Sequence, residues 1–210
     1  MSKGIILYLR TDISDQDITA GGSVAHTLGV IKGFHDLGYS IVCASSCLSS
    51  EVLGQVSLED LIRLKNPTCL RFLRWKLNCF LSSFFFFFQA RTFLKKYPIT
   101  FIYQRYSLLN CTGVLLSWWY KKKLILEYNG SEAWTVLNWI ERKPLVSGKW
   151  FLYAVEKYNV MYADSIVVVS EVLKDELLKR GVPDYKILIN PNGVDPNYFD
   201  SERIKKECIQ

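Results

Sequence analysis

Short runs rich in Ile, Leu and Val recur along the chain, with stretches of helical spacing between them. Residues 4–10 (GIILYLR), 39–45 (YSIVCAS), 99–104 (ITFIYQ), 123–127 (KLILE), 165–169 (SIVVV) and 186–190 (KILIN) are such runs. They are apolar almost throughout instead of alternating, which is the pattern of strands buried on both faces. Helices are predicted over 23–37, 70–96, 107–120, 149–163 and 171–180, the first carrying Val24, Leu28, Ile31 and Phe34 at helical spacing. Ser23 is the expected N-cap of the first helix and Gly38 the glycine that ends it. Pro98 stops the second. Residues 46–65 are ambiguous and read best as a loop with a helix near 58–64. Residues 134–146 give no clear pattern. This βα alternation predicts an α/β fold: a Rossmann-like parallel sheet with helices on both faces. The 210 residues, half of them hydrophobic, suffice for one such domain and exclude a disordered or collagen-like chain.

The formal charge of +6 is local in origin. Residues 61–96 hold Arg63, Lys65, Arg71, Arg74, Lys76, Arg91, Lys95 and Lys96 and no acid. A nucleic-acid binder would spread or repeat its charge, so no nucleic-acid partner is expected. The same stretch holds Phe72, Leu73, Trp75, Leu77, Phe80, Leu81 and five consecutive phenylalanines, 84–88. Five in a row must cover every side of a helix, so they cannot all face one core. Aromatics among cations suit an anionic membrane surface, with Arg71, Arg74, Trp75 and Lys76 as candidate contacts. The competing reading is a core helix with a ragged solvent side. The run 77–88 is too short to span a bilayer.

The six cysteines form no Cys-x-x-Cys pair, and His26 and His35 lie far from them in sequence. A bound metal is therefore not expected. No run near the start is long enough for a signal-peptide core. The cysteines read as reduced, half-buried thiols of a cytoplasmic protein.

In a parallel sheet of this kind ligands sit beyond the carboxyl ends of the strands. After the first run comes Gly21-Gly22-Ser23-Val24-Ala25-His26. Paired glycines at a helix start let backbone N–H groups approach a phosphate, although they serve equally as a tight helix entry. The spacing lacks the dinucleotide fingerprint. A nucleophile elbow is also excluded, because some ten residues separate Ser23 from the strand and no suitably placed histidine follows it. His26, in the first helical turn, either donates to a ligand as neutral imidazole or is simply solvated. The third run ends in Tyr103-Gln104-Arg105-Tyr106, where Arg105 suits a phosphate or carboxylate unless a nearby acid claims it. The fourth ends in Glu127-Tyr128-Asn129-Gly130-Ser131-Glu132-Ala133-Trp134. This dense polar cluster suits sugar hydroxyls, and Trp134 suits a sugar face. An Asn-Gly turn beside a solvated glutamate would read the same way.

These stretches together resemble the N-terminal, acceptor-side half of a GT-B glycosyltransferase of the family-4 type. The most specific is ADSIVVVS at 163–170 followed by KILINPNGVD at 186–195. The resemblance covers about residues 4–200. It implies one half of a two-domain enzyme, with 1–198 as the Rossmann-like domain and 199–210 as the start of the linker. It implies that Gly21, Gly22 and Ser23 approach the donor diphosphate. His26, Arg105, Glu127, Asn129, Ser131 and Glu132 would line the acceptor side, with Glu127 and Asn129 as candidate catalytic groups. Asn192, Gly193 and Asp195 would lie at the hinge, near the donor. Members of the family usually retain anomeric configuration and need no metal, and the nucleotide-sugar is a co-substrate, not a bound cofactor. The implied acceptor is lipid-linked or a cell-surface polysaccharide, at the inner face of the membrane.

Two departures from the pattern matter. Asn129 stands where many members carry histidine, and an amide cannot titrate. The paired-glutamate donor motif is absent from these 210 residues, so the chain alone is expected to transfer no sugar. Two other readings compete: a non-catalytic membrane- or partner-binding module, and a Rossmann-like enzyme using a dinucleotide.

Overall fold

The computed structural model describes residues 3–12, 17–65, 75–139 and 149–193. Seven strands form one parallel sheet in the order β3-β2-β1-β4-β5-β6-β7. They are β1 (Ile5–Arg10), β2 (Ser40–Ser45), β3 (Asp60–Arg63), β4 (Ile99–Arg105), β5 (Lys123–Tyr128), β6 (Ser165–Val168) and β7 (Ile187–Ile189). The helices are α1 (Gly22–Asp36), α2 (Ser50–Leu53), α3 (Trp75–Lys96), α4 (Thr112–Tyr120), α5 (Glu132–Asn138), α6 (Lys149–Tyr162) and α7 (Glu171–Lys179). A 3-10 turn at Asp184–Lys186 leads into β7.

The chain steps outward from β1 to β2 and β3, then returns through α3 to β4 on the other side of β1. Right-handed crossovers in opposite directions put their helices on opposite faces. The packing follows that rule. Ile6, Tyr8, Ile41 and Cys43 pack with Val24 and Ile31 of α1 and Val52 and Leu53 of α2. On the other face Leu7, Leu9, Ile102, Leu124 and Ile166 pack with Phe86, Ala90 and Phe93 of α3, Val114 of α4, Val160 of α6 and Leu177 of α7. A third cluster joins Cys79 of α3, Ala133 of α5 and Leu152 and Val155 of α6.

The sequence expectation needs four corrections. Residues 58–64 are not helical: Asp60–Arg63 is the edge strand β3, paired with β2 from Val42↔Asp60 to Ser45↔Arg63. Leu58, Leu61, Ile62 and Leu64 have helix-like spacing, and in so short a strand no alternation can show through. The helix expected from 107 begins only at Thr112. Leu109 takes a positive φ of 58°, and the Asn110 side chain accepts the Thr112 N–H at 3.0 Å, so 107–111 form a turn. Ser23 is not the N-cap of α1. Gly21 is, at φ 109° with no side-chain cap, a conformation that favours glycine. The cysteines at 43, 47, 79 and 111 are free and buried rather than half-buried. Burial, joined for Cys47 by Asp12, pushes the thiols of Cys43 and Cys47 up to about 12, so both stay protonated. Among the described residues no helix is long and apolar enough to cross a membrane.

Candidate functional site

The turn in strand order falls between β1 and β4, and their carboxyl ends open onto the crevice where such sheets take ligands. An open depression of about 180 Å³ lies there, lined by Gly22, Ser23, His26, Arg105, Asn129, Val169 and Asn192. Every one of these residues follows or ends a strand: β1 through α1, then β4, β5, β6 and β7.

Glu127, at the end of β5 and only 1% exposed, is the electrostatic centre beneath that depression. Its Oε1 accepts from Arg105 Nη1 at 2.6 Å and from Asn129 Nδ2 at 2.5 Å, and its Oε2 from the Tyr103 hydroxyl at 3.1 Å. His26 Nε2 approaches Oε1 to 3.1 Å, an ion-pair distance without the alignment of a hydrogen bond. Burial alone would push this carboxyl up. His26, Arg105 and Asn129 outweigh burial and hold it below the usual glutamate range. Glu127 is thus an ionised clamp that orients three rim side chains and has little capacity left for a ligand.

A second clamp holds the front of α1. Arg10, at the end of β1, is 2% exposed. It donates from Nε to Asp12 at 2.8 Å, from Nη1 to the Ser23 carbonyl at 2.9 Å and the Thr27 hydroxyl at 2.7 Å, and from Nη2 to the Ser23 hydroxyl at 3.1 Å. This fixes the Gly21-Gly22-Ser23 entry over the strand tips. Nothing in the sequence singles out Arg10, because apart from Asp12 its partners, Ser23 and Thr27, lie on α1.

The remaining candidates separate. Ser131 caps α5, accepting from Trp134 N at 3.1 Å, and donates inward to Glu156 Oε1 at 2.8 Å. Glu156 is fully buried and also accepts from the Tyr128 hydroxyl, Ala133 N and Arg180. Ser131 is therefore turned away from the depression. Glu132 does not line it either; burial, then Asp12, pushes its carboxyl upward. Gly193 is described and exposed beyond β7, while Asp195 falls outside the described residues, as do Arg71 and Arg74. Trp75 opens α3, its side chain outside the description, and Lys76 follows half-buried. No three His, Cys, Asp or Glu side chains among the described residues are grouped to hold a metal.

Solved structures share this fold. Sucrose-phosphate synthase of Thermosynechococcus elongatus matches with a TM-score of 0.63 at 16% identity, over 93% of this chain and 49% of that one. HepE of Anabaena, in complex with UDP-glucose, matches at 0.59 and 15%, over 92% and 45%. UDP-GlcNAc 2-epimerase of Neisseria meningitidis, bound to UDP-GlcNAc, matches at 0.58 and 9%, over 88% and 46%. This chain thus spans about half the length of each. No curated protein sequence matches. The architecture is one Rossmann-like half of the GT-B fold. The profile of glycosyltransferase family 4 matches residues 20–198, and the chain belongs to that family.

Proposed function

We propose that this chain is the acceptor-binding half of a retaining, sugar-nucleotide-dependent glycosyltransferase of the hexosyltransferase type. Its acceptor is lipid-linked or a cell-surface saccharide, met on the cytoplasmic side of the membrane. In this reading Arg105 and Asn129 hydrogen-bond the acceptor. Gly22 and Ser23 present the start of α1 to the donor diphosphate, where the helix dipole and N–H groups favour negative charge. Asn192 and Gly193 lead toward the donor domain. Glu127 is a positioning residue for the rim. No metal or tightly bound cofactor enters the proposal.

The observation that carries the reading is the convergence of five strand ends on one depression. At about 180 Å³ it falls short of the ~300–1,000 Å³ of a pocket that encloses a ligand of sugar-nucleotide size. A second wall is required, so the 210 residues alone transfer no sugar. The test compares this chain with a protein carrying a donor domain after Gln210. Transfer from a UDP-sugar with retained anomeric configuration, seen only in the longer protein, is the expected result. Transfer by the short chain alone, or inversion of configuration, overturns it. Lipid binding with no transfer even in the longer protein would favour a non-catalytic membrane module.

A further inference from the structure

We propose that Glu156, which does not line the depression, is the positioning residue that sets where Asn129 stands on its rim. The inference rests on the acceptor reading of Asn129 given above. β5 ends at Tyr128 and α5 begins at Glu132, so Asn129, Gly130 and Ser131 form a connection that belongs to neither element. Gly130, in its middle, takes a φ of 136°, a conformation that favours glycine. Glu156 of α6 grips both ends of this connection. Its Oε1 accepts from the Tyr128 hydroxyl at 3.2 Å, just before the connection, and from the Ser131 hydroxyl at 2.8 Å, at its end. Its Oε2 accepts the Ala133 N–H at 3.3 Å, in the first turn of α5. Burial, then Glu156, pushes the Tyr128 hydroxyl well above the ordinary tyrosine range, so it remains a donor. Arg180, at the end of α7, supplies the counter-charge and is itself held by Glu176.

The Asn129 side chain is tied separately, donating from Nδ2 to Glu127 Oε1 at 2.5 Å. One carboxylate thus orients the amide, and the other places the backbone that carries it. Stability alone does not call for a charge at position 156. Glu156 is fully buried, on the same face of α6 as Leu152, Val155 and Val160. A buried ion pair often stabilises no more than apolar side chains of the same volume, because both charges give up water. What the carboxylate adds is direction, since it draws two hydroxyls and a backbone N–H to one point. Direction matters where the connection carries a rim residue, because a displacement of about 1 Å in a substrate-positioning group is costly to turnover.

Heteronuclear NMR of the 210-residue chain reads this placement without any transfer reaction. In Glu156→Gln the Asn129 side-chain amide resonance should shift. Exchange of the Ala133 and Trp134 N–H groups should rise roughly tenfold more than that of the β1 and β4 amides. Tyr128→Phe removes one donor and keeps the ring that packs in the core. It should move the same resonance by less, and it carries the test if Glu156→Gln does not fold. Kinetics come from a protein that also carries the donor domain, with UDP-glucose as donor and octyl glucoside as the acceptor probe. There Glu156→Gln should raise the acceptor KM roughly tenfold and leave the donor KM unchanged. An unmoved Asn129 resonance, exchange that rises evenly through the sheet, or equal rises in both KM values overturns the proposal and leaves Glu156 a structural residue. Absence of transfer by the unsubstituted longer protein bears on the transferase reading alone, and the two NMR readouts then decide the proposal.

Discussion

Glu127 and Arg10 do opposite electrostatic jobs at the tips of β5 and β1, on either side of β4. The carboxylate binds the rim side chains His26, Arg105 and Asn129, while the guanidinium binds the start of α1. Replacing Glu127 by Gln keeps the shape but leaves Arg105 without its counter-charge. In a protein carrying the donor domain this should lower kcat roughly 100-fold through misplacement of the rim, and an initial-rate assay checks it. The same carboxylate makes a pH prediction. Its folded-state pKa lies below the ordinary value, so its contribution to stability is complete above ~4.3 and is lost as pH falls through the lower folded value. Urea titrations at pH values from about 4.3 downward through the folded value should show the wild type losing stability more steeply than Glu127→Gln. Arg10→Met should cost about 3 kcal/mol, because it strips Asp12 and Thr27 of a buried partner. The strand-tip candidates Arg105, Glu127 and Asn129 were legible because a parallel sheet puts its chemistry at carboxyl ends. Their mutual commitment was not, since Arg105 and Glu127 are 22 residues apart. Arg10 was invisible for the same reason: Ser23 and Thr27 are 13 and 17 residues away.

At the scale of elements, two helices use glycine for opposite reasons. Gly113 lies in the first turn of α4, where its N–H donates to Gln104 Oε1 on β4 at 2.7 Å. A Cβ there would stand 2.0 Å from Gln104 Oε1 and 3.0 Å from Leu124 Cδ1 on β5. Gly113→Ala should therefore push α4 off the sheet and destabilise by about 1–3 kcal/mol. Gly29, within α1, is exposed, and a Cβ there would meet nothing within 4 Å. Gly29→Ala should stabilise by about 0.5–1 kcal/mol, because it removes backbone freedom from the unfolded chain without a new clash. Thermal melts of the two variants should move in opposite directions. Most elements were legible because their apolar runs and caps are local: Gly38 at φ 88° ends α1 and Gly181 at φ 87° follows α7, as their positions in sequence suggest. The failures were elements whose shape is decided by another part of the chain. β3 exists because β2 offers it an edge. The 107–111 turn is held partly by Ser83 of α3, whose hydroxyl accepts the Cys111 N–H at 3.0 Å.

For the whole molecule, the parallel sheet is one wall of a site in the proposed reading. The depression draws on five strand ends but stays open and near 180 Å³. A sugar nucleotide resting there would keep most of its surface in water. It would give up translational freedom for a few rim hydrogen bonds, and such contacts return little net free energy in solvent. The positive charge on the rim is also partly spent, since Arg105 already pairs with Glu127. Isothermal titration of the 210-residue chain with UDP-glucose should accordingly give a Kd weaker than ~1 mM, a value that corresponds to about −4 kcal/mol. Enclosing the same ligand against a second domain would recover the apolar and charged contacts that an open surface cannot make, so the longer protein should bind at least tenfold more tightly. A micromolar Kd for the short chain would mean that its strand tips form a complete nucleotide site, and the two-walled account of this half-fold would be wrong.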